Sequence, residues 1–246
     1  MEIENEYTNS GFRQLEFRFK GKKAIIILPD ESNDNGKMVL KTEYFGAFPD
    51  LQIQFVRRGY TFIFVENRNR WGTDSEIDDQ YEFINYVSKE LGKENSVITI
   101  GMSCGGLISV KLCAKYPDAV KALYLDAPVM NFLSIPARFG NAYEVTDGMW
   151  EEFYDAYHMT KTELLTYREH PIDMVPFLLE HKKRIYLTYG DSDHVVPYEE
   201  NGLYLEKFYR ENGGEIKTEK KVGVGHHPHG PSDPDLVINY FENINE

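Results

Sequence analysis

Apolar and polar positions recur with two different periods along this chain, and the changes of period mark its elements. Phe12 to Phe19 alternates with a period of two, the pattern of a half-exposed strand. Gly21 then turns the chain into Ala24-Ile25-Ile26-Ile27-Leu28, an unbroken apolar run that reads as a buried strand. Tyr60-Thr61-Phe62-Ile63-Phe64-Val65 is the next such run, and the spacing between the two predicts a helix from near Thr42, disturbed at Pro49. From Ile77 to Leu91 the period lengthens, and Ile77, Tyr81, Ile84, Val87 and Leu91 fall on one helical face. Strands follow at Val97-Ile98-Thr99-Ile100, Ala122-Leu123-Tyr124-Leu125, Ile185–Tyr189 and Ile216–Val222. A helix is expected from about Glu199 to Glu211, stopped by Asn212-Gly213-Gly214, and another over Leu236–Glu242. Between Pro128 and His181 no central strand is evident, only helical pieces at Met149–Tyr157, Thr162–Glu169 and Ile172–Leu179. Buried strands alternating with helices imply one α/β domain over residues 1–246. Its sheet is expected to be mostly parallel and twisted, with helices on both faces. The segment at about 129–182 is expected to form a helical lid over the sheet edge.

One junction in this pattern carries chemistry. Gly101-Met102-Ser103-Cys104-Gly105-Gly106 lies between the strand at Val97 and the amphipathic stretch Leu107–Lys115. A strand-to-helix turn this tight lifts the Ser103 hydroxyl above the sheet edge. Glycines two residues before and after the serine remove Cβ atoms that would clash there. The same turn leaves the Cys104 backbone N–H at a helix N-terminus, where it can stabilise an oxyanion.

In an open parallel sheet, ligands sit beyond the carboxyl ends of the strands. Three such ends carry suggestive residues, in the order Ser, Asp, His. After Ser103 comes Gly190-Asp191-Ser192-Asp193-His194-Val195-Val196-Pro197, and then Gly223-Val224-Gly225-His226-His227-Pro228-His229-Gly230. A serine hydroxyl needs a base to become a nucleophile; an imidazole serves, and a carboxylate fixes the imidazole's tautomer. On the residues alone the acid is Asp193 or Asp191, with Asp126 at another strand end a third candidate, and the base is His226 or His227.

Composition narrows the partners. The 246 residues are 41% apolar and 27% charged, with a formal net charge of −13. That balance argues against nucleic-acid or anionic-membrane partners, and no apolar stretch approaches the length of a membrane span. The opening Met1-Glu2-Ile3-Glu4-Asn5-Glu6 lacks the basic and apolar regions of a secretion signal. Cys104 and Cys113 are the only cysteines, so a reducing cytoplasm is the expected location. The His226, His227 and His229 cluster sits on no helix that would fix ligand spacing, so no metal and no other cofactor is expected. The partner is then a small molecule; the oligomeric state is open.

With these residues in place, the chain resembles the α/β-hydrolase superfamily from Ala24 to its end, and more narrowly the small bacterial esterases related to dienelactone hydrolase and prolyl oligopeptidase. The strings that carry the resemblance are Thr42-Glu43-Tyr44-Phe45, Asp126-Ala127-Pro128, Pro171-Ile172-Asp173 and His226-His227-Pro228-His229. The resemblance implies Ser103 as nucleophile, Asp193 as acid because Gly190, Asp193, Val196 and Pro197 fit G-x-x-D-x-V-x-P, and His226 as base. Many relatives carry Ser-Arg where this chain has Ser103-Cys104, so any substrate role of that arginine is absent here. The second oxyanion donor is expected after the strand ending at Leu28; Pro29 has no N–H to give, which leaves Asp30 or Glu31. Arg70 and Trp71, just past the strand at Val65, are candidate substrate-binding residues for a sugar or a carboxylate, with surface ion pairing and packing as the alternative. Trp150, Phe153, Tyr154 and Tyr157 form an aromatic stripe suited to a lid core, with an acyl pocket as the alternative. The implied activity is hydrolysis of a carboxylic ester through an acyl-enzyme, with a small acyl group on a carbohydrate or similar polyol as substrate. The rivals are a prolyl-oligopeptidase-like peptidase, for whose propeller this chain has no room, and a hydrolase-like binding protein without catalysis.

Overall fold

A computed structural model describes residues 1–242. Nine strands form one sheet in the order β1-β2-β3-β5-β4-β6-β7-β8-β9. The first three are β1 (Ile3–Asn9), β2 (Phe12–Phe19) and β3 (Lys22–Leu28), each antiparallel to its neighbour, and β3 is also antiparallel to β5 (Thr61–Val65). From β5 onward all strands are parallel: β4 (Met38–Lys41), β6 (Val97–Met102), β7 (Val120–Asp126), β8 (Arg184–Gly190) and β9 (Ile216–Lys221).

Helices cover both faces, because the central strands are apolar on both. On β3, Ala24 and Ile26 join a core shared with α2 (Asp74–Leu91), α3 (Cys104–Lys115) and α7 (Gly202–Glu211). Ile25 and Ile27 point the other way, into a core shared with α1 (Asp50–Arg57) and α8 (Pro234–Glu242). Residues 127–183, between β7 and β8, hold α4 (Met149–Tyr157), α5 (Lys161–Leu164) and α6 (Val175–Glu180). The aromatic stripe of α4 is split. Phe153 is buried, Tyr157 donates from its hydroxyl to the Trp71 carbonyl at 3.0 Å, and Tyr154 stays exposed.

One expectation needs correcting. No helix starts near Thr42: the chain there makes β4, four buried residues between β5 and β6, and the helix begins only after Pro49. Four residues are too few to show a period, and Lys41 at the end disguises the run as polar. The N-terminal acidic segment, for which the sequence pattern gave no element, is the exposed edge strand β1.

Candidate active site

The turn after β6 is sharp in the way its glycines suggest. Ser103 has φ 51° and ψ −120°, a conformation that L-residues rarely adopt. It is held from both sides: the Ser103 N–H donates to the Asp126 carbonyl at 2.9 Å, and the Ser103 carbonyl accepts from Val129 N–H at 3.0 Å. A Cβ on Gly101 would stand 2.5 Å from Ser109 Oγ and 2.8 Å from the Gly105 carbonyl, so the turn closes only with glycine there.

His226 Nε2 lies 3.0 Å from Ser103 Oγ, and its Nδ1 lies 2.8 Å from Asp193 Oδ2. The other carboxylate oxygen, Asp193 Oδ1, accepts from the Val195 and Val196 N–H groups at 2.9 and 2.8 Å. Both side chains are nearly inaccessible, 7% and 2% exposed. The loops carrying them touch: a Cβ on Gly190 would fall 2.2 Å from the Val224 carbonyl, and only glycine allows this approach. Asp191 is elsewhere, paired with Lys220 at 3.0 Å and accepting from Gly223 N–H at 2.6 Å, a turn-binding role.

A second acid–imidazole pair stands beside the first. His229 Nδ1 lies 3.0 Å from Asp126 Oδ1, and Asp126 Oδ2 accepts from the Gly230 N–H at 2.6 Å and the Tyr124 hydroxyl at 2.9 Å. The His229 ring meets that of His226 edge to face, with centroids 4.8 Å apart. His227 stacks on Phe48 at 5.7 Å and is held below the ordinary histidine value, first by burial and then by the two neighbouring imidazoles. A cleft of about 420 Å³ opens over Ser103, walled by Tyr44, Phe48, Arg70, Met149, His227 and His229 among others.

Residues 57–170 match the family model described as the alpha/beta hydrolase fold; that span includes Ser103 and stops short of Asp193 and His226. No curated protein matches the chain. Among solved structures, it is similar to a putative dipeptidyl aminopeptidase IV from Bacteroides ovatus (16% identity, TM-score 0.68, covering 94% of this chain and 35% of that one). It is also similar to the Pyrococcus horikoshii acylaminoacyl peptidase (15%, 0.74, 94% and 41%) and to an acylaminoacyl peptidase in complex with Z-Gly-Gly-Phe-chloromethyl ketone (17%, 0.73, 94% and 41%). This is an α/β-hydrolase fold. The chain spans 41% or less of those three proteins' length.

In the α/β-hydrolase fold, the oxyanion is held by the N–H after the nucleophile and by a second N–H from a strand-to-helix loop beside it. Cys104 opens α3 immediately after Ser103, and burial pushes its thiol up to about 11. The expected second donor, Asp30, is misplaced. Because β3 runs antiparallel to β5, the end of β3 lies at the opposite edge of the sheet from Ser103. The loop that flanks Ser103 follows the strand missed in the sequence: residues 42–48, after β4, bring Tyr44 and Phe48 to the cleft. Thr42 Oγ1 donates to the Gly105 carbonyl at 2.7 Å, and Asn67 Nδ2 donates to the Thr42 carbonyl at 2.7 Å. The buried Lys41 amine donates to the carbonyls of Phe45 (3.4 Å) and Ala47 and to Gln52 Oε1 (3.0 Å), and burial lowers it to about 7. The Thr42-Glu43-Tyr44-Phe45 string was the one signal in the sequence for this loop.

Arg70 reaches the cleft, with Nε 2.8 Å from Glu152 Oε2. Trp71 does not serve a ligand as expected. Its side chain is fully buried, edge to face with Phe153 at 5.4 Å and Phe132 at 6.4 Å, so the insertion's own core consumes the indole.

Proposed function

We propose that the chain is a serine hydrolase that moves an acyl group to water through an acyl-enzyme. The observation that carries this reading is the continuous contact from Ser103 Oγ to His226 Nε2 (3.0 Å) and from His226 Nδ1 to Asp193 Oδ2 (2.8 Å). Both distances lie within the range that proton transfer needs. His226 takes the Ser103 proton as the oxygen attacks an acyl carbon, and Asp193 stabilises the imidazolium. The tetrahedral oxyanion is met by the Cys104 N–H and by the loop after β4, whose Tyr44 lines the cleft. His226 then gives the proton to the leaving group. A water activated by the same imidazole releases the acid.

A carboxylic ester with a small acyl group, carried on a carbohydrate or similar polyol, is the substrate class. The modest cleft suits a short acyl chain, and Arg70 at its wall supplies hydrogen-bond donors for an oxygen-rich leaving group. Residues about 129–182 act as the lid, since Met149 of this segment borders the cleft. The two cysteines are free and buried, in keeping with a reducing compartment, and no helix among the described residues is long and apolar enough to cross a membrane. A second reading, peptide hydrolysis, draws on the peptidases among the similar structures.

A fluorophosphonate probe tests the serine: labelling of the wild type that vanishes in Ser103→Ala is expected, and unlabelled wild type would overturn the mechanism. p-Nitrophenyl esters of increasing chain length, run against aminoacyl and peptidyl p-nitroanilides, separate the two readings. Turnover confined to short esters is expected; faster turnover of the anilides would move the assignment to a peptidase.

A further inference from the structure

We infer that the His226, His227 and His229 imidazoles form a binding site for a divalent transition metal, Zn²⁺ above all, whose occupation withdraws His226 from Ser103. The ligand atoms of the three rings all lie within 4.8 Å of one another. The feature that singles them out lies behind two of them. His226 and His229 each have Nδ1 against a buried carboxylate, Asp193 and Asp126, both 2% exposed. A metal-binding histidine nearly always gives its other ring N–H to such a partner, which fixes the tautomer and turns the Nε2 lone pair toward the ion. His229 Nε2 makes no hydrogen bond among the described residues, although the ring borders the cleft. His226 Nε2 has Ser103 Oγ as its partner, an oxygen that can itself complete the coordination. The sequence offered no helix to fix ligand spacing; in the fold, the two carboxylates fix it.

The chemistry of the donors selects the ion. Imidazole nitrogens suit Zn²⁺, Cu²⁺ and Ni²⁺, whereas Mg²⁺ and Ca²⁺ prefer oxygen. A tetrahedral Zn²⁺ with Zn–N of about 2.0–2.1 Å needs nitrogens roughly 3.4 Å apart, so the rings must close by an ångström or so. His227 is the most exposed of the three; it stacks on Phe48, meets the other two imidazoles edge to face, and has no carboxylate behind it, so it supplies that movement. Metal on His226 Nε2 removes the base from Ser103, and occupation therefore excludes hydrolysis. That consequence rests on the hydrolase reading; the binding does not.

The two are tested apart. Calorimetric titration of Zn²⁺ into the wild-type chain without substrate measures binding with no activity involved. One ion per chain is expected, weakened at least about tenfold by His227→Ala or His229→Gln and about 10–100-fold by Asp126→Asn. Because His227 is exposed, its variant keeps the test valid if the Asp126 variant fails to fold. Absence of binding at millimolar Zn²⁺, or equal affinity in the folded His227 and His229 variants, overturns the site. The second arm is fluorophosphonate labelling of Ser103. Zn²⁺ should slow labelling of the wild type, chelator should restore it, and His227→Ala should abolish the protection, each compared with its own metal-free rate. Protection that persists in His227→Ala would overturn the three-imidazole assignment. A wild type that never labels would instead sink the hydrolase reading and leave calorimetry to decide the metal.

Discussion

Two acid–imidazole pairs stand side by side at this sheet edge, and they are nearly the same object. In each, a carboxylate 2% exposed holds an Nδ1, at 2.8 Å in Asp193–His226 and at 3.0 Å in Asp126–His229. What differs is the far side of the ring. His226 Nε2 meets a serine forced into position by a strained turn, with a helix N-terminus behind it, while His229 Nε2 meets no hydrogen-bond partner among the described residues and its ring packs edge to face on Phe48, His226 and His227. On the proposed mechanism, buried carboxylate–imidazole contact is therefore not what marks a general base. The mark is a nucleophile within reach, on a backbone that cannot relax away from it.

The largest effect should come from removing that nucleophile. Ser103→Ala is expected to lower kcat on the order of 10⁶-fold with the fold unchanged. Steady-state kinetics on an activated ester, with circular dichroism as the folding control, checks it; a folded variant that keeps about a tenth of wild-type activity defeats the mechanism.

Next, the two pairs can be broken one at a time. Asp193→Asn should cost about 10⁴-fold in kcat by favouring the wrong tautomer of His226. Asp126→Asn should cost less than about a hundredfold, while lowering stability by about 1–3 kcal/mol because the Tyr124, Gly230 and His229 donors lose a charged acceptor. Equal rate losses in the two variants would erase the distinction between the pairs.

Lys41→Met leaves both pairs alone and attacks the loop proposed to meet the oxyanion. Loss of its grip on the Phe45 and Ala47 carbonyls should let the loop after β4 drift, lowering kcat up to about 10²-fold with KM little changed. It also has a pH signature. Burial lowers Lys41 from 10.5 to about 7, so between these values the folded chain binds fewer protons than the unfolded one. Wild-type unfolding free energy should therefore rise with pH across that window, and in denaturant titrations Lys41→Met should make the rise smaller and start it higher, because buried Lys111, lowered to about 8, sustains the remainder. The smallest effect belongs to Cys104→Ser, expected within about tenfold of wild type because the backbone donor survives. An acyl adduct mapped by mass spectrometry to Cys104 would reverse the roles of the two neighbours.

What could be seen in the sequence follows from range. The β6–Ser103–α3 junction was legible because everything that shapes it lies within a few residues. The apolar strands were legible because their burial on both faces leaves unbroken runs. Asp30 was misread because strand direction is a property of pairing. Nothing in Ala24–Leu28 says that it runs against Thr61–Val65, and that reversal sends the following loop to the wrong edge. Trp71 was misread for a related reason. A tryptophan just past a strand end resembles a binding wall until Phe132 and Phe153, some sixty to eighty residues later, fold over it. The choice between His226 and His227 turned on which ring the loop points at Ser103, a matter of backbone path that adjacent identical residues cannot reveal.

The outermost strands give the molecule one further property. A sheet's edge offers open N–H and C=O groups to any stray strand that passes. Here one edge carries Glu4 and Glu6 on the exposed β1, and the other carries Lys217 and Lys220 on β9. An intruding strand would have to strip water from those charges before its ladder could form, a cost that guards against fibril growth from either margin.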